Sequence, residues 1–375
     1  MGDYFLKYNM KPKVYFLHNT IKDYRIPWFE LMSKKVDLTL LLFRESDKIL
    51  KTLNVKGLKI KFLSHFKLFN KYGISLPLVK ELIFNRYDVI ISNDLYFFET
   101  YISFFISKLK RKPHIIWAET FEWPRRPLSK ILNPLIRLVV RNSTCIATGK
   151  KSKEFLEKQG AKKVFISPDV SLAEIKNLDK VKKEILPIIK DKQVILYLSR
   201  IVPYKGPDIL IKAFSKIKTK NVLLYIAGDG PFKENVKKLI QELNLKNTYF
   251  EEKFIGPEKK GALFKLSDVF VLPSTFRDYD ADCWGLVLNE AASIGKPLIS
   301  TDATGGAHDV IKQGVNGYMV KHNDVNELAE ALDKILSNKR LKERMGEASK
   351  KIIRHEFTYE KMAQGCIDAI NSTIH

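Results

Sequence analysis

Short, almost unbroken apolar runs, each about one strand long, alternate along this chain with longer segments of helical periodicity. "KVYFLHN", "LTLLLF", "DVIISND", "HIIWAE" and "CIATG" read as buried strands in the first half, and "QVILYLS", "VLLYIAGDG", "YFEEKFIG", "DVFVLPS" and "KPLIS" in the second. Amphipathic segments such as Ile26–Ser33, Pro77–Phe84 and Ser129–Val140 lie between them. That β-α-β rhythm belongs to parallel, doubly wound sheets with helices on both faces. A polar, lysine-rich passage, Ser171–Asp191, interrupts the rhythm once. At 375 residues the chain exceeds the usual single domain. The reading is therefore two Rossmann-like domains, residues 1–180 and 181–358, facing across a cleft between sheet C-termini, where such folds bind ligands.

Bulk chemistry narrows the setting. The three cysteines, Cys145, Cys283 and Cys366, are widely spaced and odd in number, which is neither a disulfide framework nor a zinc spacing. The first residues show no apolar core of a signal peptide, and no apolar run reaches the ~20 residues of a membrane span. A cytoplasmic protein, soluble or peripheral, is expected. The net charge is +23, and residues 1–180, with 34 Lys or Arg against 17 Asp or Glu, carry most of it. Such asymmetry points the first half towards something anionic: a membrane, a phosphorylated lipid or a nucleic acid. Two segments of that half, Tyr101–Lys112 and Pro124–Asn142, join apolar helical faces to clustered basic residues. Either could lie in a membrane interface, or simply cover the sheet with its polar face solvated.

The second half holds the motifs that carry chemistry. "AGDGPFK" has Gly228 and Gly230, but Lys233 stands where a dinucleotide fingerprint needs its third glycine, so a tight turn opening a helix explains the pair. "SRIVPYKG" places Arg200 and Lys205 in a loop past a strand end. A rigid guanidinium fork and a mobile ammonium can together embrace a diphosphate. In "DADCWGLVLNEAASIG", a helix starting near Gly285 would aim the amides of Cys283, Trp284 and Gly285 at an anion. Glu290, about one turn in, and Asp282, in the loop before, are each suited to accept two hydrogen bonds from adjacent sugar hydroxyls. The same loop, "DYDAD", contains overlapping D-x-D patterns through Asp278, Asp280 and Asp282 that could instead hold Mg²⁺ or Mn²⁺ against a diphosphate.

"SRIVPYKG", "AGDGP", "FIG", "DCWGLVLNEAASIGKPLIS" and "TGGAHDVIKQGVNGYMV" together resemble the C-terminal half of glycosyltransferase family 4, retaining enzymes of the GT-B fold. The resemblance covers about residues 190–375, and the first half, with "DYRIPWFELM", is similar more loosely. It implies that Arg200 and Lys205 hold the donor diphosphate, Glu290 the nucleotide ribose and Asp282 the transferred sugar. Gly228 and the amides of Cys283–Gly285 would border phosphate or sugar, and Phe254, Ile255 and Gly256 the base. The final helix, 359–375, would pack back on the first domain. The family spacing E-x7-E reads D-x7-E here, one methylene shorter, and the preceding loop is longer, so Asp278 or Asp280 could take the sugar-facing role.

The expected activity is thus metal-independent, retaining transfer from a UDP- or GDP-sugar to an anionic, lipid-linked or glycan acceptor in cell-surface glycan synthesis. No cofactor or metal is expected. Glu119, closing the strand "HIIWAE", is the candidate acceptor contact. A basic nucleic-acid-binding protein is the rival from another class, but no recognition module is present and the basic residues are dispersed. A sugar-nucleotide hydrolase or epimerase on the same fold is the other alternative.

Overall fold

The computed structural model describes residues 10–19, 21–43, 58–64, 66–69, 72–122, 127–277 and 280–374. The chain divides into two units, Met1–Val170 with Thr358–His375, and Ser171–Phe357.

The first unit is built from β1 (Lys13–His18), α1 (Ile26–Ser33), β2 (Asp37–Leu42), β3 (Leu58–Phe62), β4 (Phe66–Phe69) and β5 (Tyr72–Ile74). It continues with α2 (Leu76–Phe84), β6 (Val89–Ser92), α3 (Phe98–Leu109), β7 (His114–Ala118), α4 (Pro127–Arg141), β8 (Thr144–Ala147), α5 (Lys150–Lys158) and β9 (Val164–Ile166). Seven strands form one sheet in the order β3-β2-β1-β6-β7-β8-β9, every neighbour parallel. The chain winds outwards from β1 through β2 to β3, then crosses to β6 on the other side. The switch point lies between β1 and β6, where open α/β sheets gather ligands. β4 and β5 make a separate antiparallel hairpin.

The second unit runs α6 (Leu178–Ile189), β10 (Gln193–Leu198), α7 (Pro207–Phe214), β11 (Val222–Ala227), α8 (Lys233–Glu242), β12 (Thr248–Glu251), α9 (Pro257–Leu266) and β13 (Val269–Leu272). α10 (Val287–Ile294), β14 (Leu298–Thr301), α11 (Ala307–Val310), β15 (Gly317–Val320), α12 (Val325–Leu336) and α13 (Lys339–Glu356) follow. Its six parallel strands order as β12-β11-β10-β13-β14-β15, with the switch between β10 and β13. Ile195, Leu224, Ile226, Val271 and Ile299 from four strands, with Leu210 of α7 and Leu332 of α12, form one buried core.

α6 corrects the reading of Ser171–Asp191 as an interruption. Val181, Ile185 and Ile189 recur every four residues between lysines and are buried, so the passage is an amphipathic helix of the second unit. The division accordingly falls at Val170 rather than near residue 180.

The last helix, α14 (Tyr359–Ile374), belongs to the first unit. Gly365 is what lets it lie against β9, since a Cβ there would meet the Ile166 carbonyl oxygen at 2.1 Å. Ser167 adds a bond from its Oγ to the Met362 carbonyl, 2.7 Å. In α4, Ile136, Val139 and Val140 face the core while Leu138 is exposed. Pro124–Arg126, the start of the second basic segment, lie outside the described residues.

Candidate functional site

The loops leaving β10 and β13 flank the second unit's switch point, and backbone contacts fix both. Gly228 has φ +149° and Gly230 lies equally close to the loop after β10: a Cβ would meet the Ser199 oxygen at 1.9 Å in the first case and the Ile201 oxygen at 2.2 Å in the second. The "GDG" pair is therefore a close-approach turn, pinned by Ile201 N–H on the Asp229 carbonyl, 2.9 Å. Gly206, at φ +66°, passes so near Pro273 that a Cβ would lie 1.9 Å from its oxygen. The Thr275 amide then bonds the Tyr204 carbonyl at 2.8 Å. The "YKG" and "PST" loops are stitched together before any side chain is counted.

That stitching brings Lys205 and Asp282 together. The Lys205 ammonium is 2.6 Å from Asp282 Oδ2, and Ser274 Oγ donates to the same oxygen at 2.9 Å. The lysine and the acid that the sequence reading assigned to diphosphate and sugar thus form one ion pair, with side chains 12% and 7% exposed. Asp282 is positioned by its own backbone, whose carbonyl accepts from Gly305 N–H at 2.8 Å, and Gly306 N–H bonds the Trp284 carbonyl at 2.9 Å. A Cβ on Gly306 would meet that Trp284 oxygen at 2.3 Å. "TGG" is a backbone clamp on residues 282–284.

The helix expected near Gly285 starts at Val287. Gly285 sits at φ +77°, a conformation no helical residue adopts, so the amides of Cys283–Gly285 belong to a turn ahead of the helix. The Trp284 ring is a core group, buried and donating from Nε1 to Asn289 Oδ1 at 3.0 Å. Glu290 lies in the first turn of α10 and is 7% exposed. Its Oε1 accepts from Lys260 of α9 at 2.6 Å and from Ser171 Oγ at 2.7 Å. Neither partner was foreseen: Lys260 is one lysine of "PEKKG", and Ser171 lies 119 positions away.

Arg200 is exposed and hydrogen-bonds the Tyr204 hydroxyl. With Val202, Pro203, Tyr204, Pro231, Asp280 and Ala281 it lines a cavity of about 370 Å³. The acidic loop closes on itself, Asp280 N–H to the Arg277 carbonyl at 2.8 Å. Arg277 reaches Asp208 in the first turn of α7 at 2.9 Å. Asp278 lies outside the described residues, and among the described residues no cluster of three His, Cys, Asp or Glu could hold a metal. Of the base-bordering trio, Phe254 is 83% exposed, Ile255 is buried, and Gly256 opens α9 with nothing near a built Cβ.

In the first unit, Glu119 does not stand alone at its strand end. Arg25, 5% exposed, donates to Glu119 at 2.6 Å and to Asp169 at 3.1 Å, with its guanidinium 4.8 Å from the Trp117 ring centre. Burial opposes the Arg25 charge, but Asp169, Tyr24 and Glu119 outweigh it and raise its pKa. Burial raises Asp169 against Arg25's pull. Asp94, beyond β6, is pushed up to about 6, chiefly by burial, although Thr120 and the Leu95 and Thr120 amides oppose the shift. Buried cations and acids in "DYRIP" and "SPDV" carry no sequence signal, since each reads as an ordinary surface charge.

Two Rossmann-like units are the GT-B class of fold, and solved structures agree. HepE of Anabaena, solved with UDP and glucose, matches with a TM-score of 0.75 over 96% of this chain and 100% of its own, at 20% identity. Residues 179–352 match the family model of glycosyl transferases group 1. The GDP-mannose-dependent alpha-(1-6)-phosphatidylinositol monomannoside mannosyltransferase of Mycolicibacterium smegmatis is 30% identical over 43% of this chain and 43% of its own length. The uncharacterized glycosyltransferase MJ1069 of Methanocaldococcus jannaschii is 24% identical over 92% of this chain and 82% of its own. The match spans less than half the length of the mannosyltransferase and of two further curated relatives.

Proposed function

We propose that this chain is a retaining, metal-independent glycosyltransferase that moves a sugar from a nucleotide diphosphate sugar to a lipid-linked or glycan acceptor. The observation that carries the reading is the pair of buried acids at one sheet edge, Asp282 and Glu290, each with a lysine at 2.6 Å and a serine hydroxyl on the same oxygen. An acid held this way has a fixed orientation and keeps its second oxygen for a sugar hydroxyl.

In this reading Glu290 accepts the ribose hydroxyls, beside the base-bordering edge at Phe254–Gly256. Asp282 accepts hydroxyls of the transferred sugar. Arg200 and Lys205 stabilise the charge that grows on the diphosphate as the bond from the sugar's anomeric carbon to the phosphate oxygen breaks. The acceptor oxygen bonds that carbon on the same face, and its proton passes to the departing diphosphate. Lys205 touches Asp282, so one lysine can tie sugar position to leaving-group charge. Relatives named for GDP-mannose and a neighbour holding UDP support a GDP- or UDP-sugar. The phosphatidylinositol acceptor in one relative's name supports a lipid-linked acceptor, reached at the cytoplasmic membrane face, with Glu119 at the first unit's strand edge as a contact.

The test is product analysis with labelled UDP- and GDP-sugars and lipid-linked acceptors, with and without chelator. Transfer with retained anomeric configuration in chelator is the expected result. Free sugar as the sole product, with or without acceptor, would replace this reading with a hydrolase. Loss of transfer in chelator, restored by Mn²⁺, would reinstate the acidic loop as a metal site.

A further inference from the structure

Six large apolar side chains on two adjoining helices of the first unit face outward. Leu76, Ile83 and Phe84 of α2 are 65%, 45% and 79% exposed, and Phe98, Phe105 and Leu109 of α3 are 46%, 51% and 82% exposed. On α3 they fall at i, i+7 and i+11, one stripe of a helix whose opposite face, with Thr100, Ser103 and Ser107, is buried. The C-terminal ends of the two helices are tied together, because the Lys110 ammonium takes the carbonyls of Leu82, Ile83 and Asn85 at 2.7, 3.0 and 2.9 Å. Ile83, Phe84 and Leu109 therefore project from one joined end. Single exposed leucines are ordinary, but six on two packed helices mark an interaction surface.

The charge around the stripe selects its occupant. Lys80, Arg86, Lys108 and Arg111 are exposed on the same helices and their C-terminal turns, with no acidic partner among the described residues. The two helices contain one acid each: Glu81 is held by Lys61 and Tyr15, and Glu99 is buried. A second copy would bring the same positive collar and be repelled. Single-stranded nucleic acid gains nothing from aliphatic Leu76, Ile83 and Leu109, which offer no face for a base to stack on. Apolar insertion below a basic collar is what an anionic bilayer surface rewards.

We propose that the outward faces of α2 and α3 seat the protein on an anionic membrane surface, Phe84, Phe105 and Leu109 entering the acyl boundary. This names the surface for the peripheral-membrane part of the function above and rests on that part alone, not on the transfer chemistry. It also redistributes the sequence expectation: within Tyr101–Lys112, Tyr101 itself is buried, and Phe105 and Leu109 carry the contact.

The experiment is flotation with phosphatidylcholine vesicles, with and without phosphatidylglycerol, at low and high salt. Wild type should float with the anionic vesicles and retain part of its binding in high salt. Leu109→Glu with Phe105→Glu should weaken partitioning at least tenfold, since each loses a buried apolar side chain. Lys80→Gln with Arg86→Gln should lower it by about fivefold per charge, on anionic vesicles only. Circular dichroism and thermal stabilisation by UDP- or GDP-sugars serve as controls and should be unchanged in every variant. If no nucleotide sugar stabilises even the wild type while flotation behaves as stated, the transferase reading fails and this surface stands. Wild type that stays at the bottom with anionic vesicles overturns the proposal. So does flotation lost on removing charge but untouched by the two glutamates, or a concentration-dependent dimer that Leu109→Glu abolishes.

Discussion

Replacing Lys260 by Met tests the least expected contact of the site. The ammonium lies 2.6 Å from Glu290 Oε1, with the side chains 23% and 9% exposed. Breaking a fully buried pair costs about 3–5 kcal/mol and an exposed one about 0–1 kcal/mol. Partial solvation of the lysine and the surviving Ser171 bond place this change between those limits, at about 2 kcal/mol. For a domain of this size that corresponds to a melting temperature lower by about 4–8 °C. The cost should be a partnership and not a packing loss, so it should shrink to under about 1 kcal/mol in a Glu290→Gln background. Urea denaturation of the four proteins of that double-mutant cycle measures it. Donor affinity of Lys260→Met should fall about fivefold, because the acid proposed to face the ribose loses its fixed orientation. Lys260→Met within about 0.5 kcal/mol of wild type, or an equal cost in both backgrounds, would refute the argument.

Three further outcomes follow from the geometry. Gly228→Ala places a Cβ 1.9 Å from the Ser199 oxygen and should cost at least about 3 kcal/mol of stability; a folded variant with an unchanged urea midpoint would show that the loop can shift at no cost. Lys205→Met should depress kcat by more than about tenfold while changing donor KM less, because its charge matters most as the diphosphate leaves; steady-state kinetics with a fixed acceptor read the split, and a pure KM effect would contradict it. His114, buried between Ser103 and Ser143 at 3.2 and 2.7 Å, has its pKa pushed down to about 3, mainly by burial and then by Lys108. A base held neutral contributes stability that is present above its unfolded pKa of about 6.5 and lost as pH falls towards 3, so lowering pH from about 7 to about 4.5 should cost about 2–3 kcal/mol. His114→Gln should flatten that slope in urea denaturation, and an unchanged slope would remove His114 as its source.

How far the sequence could be read depended on whether its signal was local. All ten strands expected from apolar runs are present, because a buried parallel strand shows itself in four to six consecutive residues. β3 was missed because "LKIKF" alternates with exposed lysines, the dress of an edge strand. α6 was missed because its apolar residues stand singly among lysines. At the candidate site, loop position, helix start and residue type singled out Arg200, Lys205, Asp282 and Glu290, and the structure sets Lys205 against Asp282. The partners of Glu290 were not legible: Lys260 and Ser171 reach it across 30 and 119 positions. Nothing in "PEKKG" distinguishes Lys260 from Lys259, whose ammonium goes to Glu251 and Glu184 instead. Likewise the burial of Arg25 between Glu119 and Asp169 is a product of the sheet's assembly and not of any short motif.

Calorimetric titration of the full chain with UDP-glucose, GDP-mannose and ADP-glucose, in wild type and Glu290→Gln, tests the central claim most directly. Saturable binding of at least one nucleotide sugar in chelator is the expected result, weakened at least tenfold by Glu290→Gln with the fold intact. Absence of binding by every donor, or binding that Glu290→Gln leaves unchanged, would contradict a donor site built around Glu290.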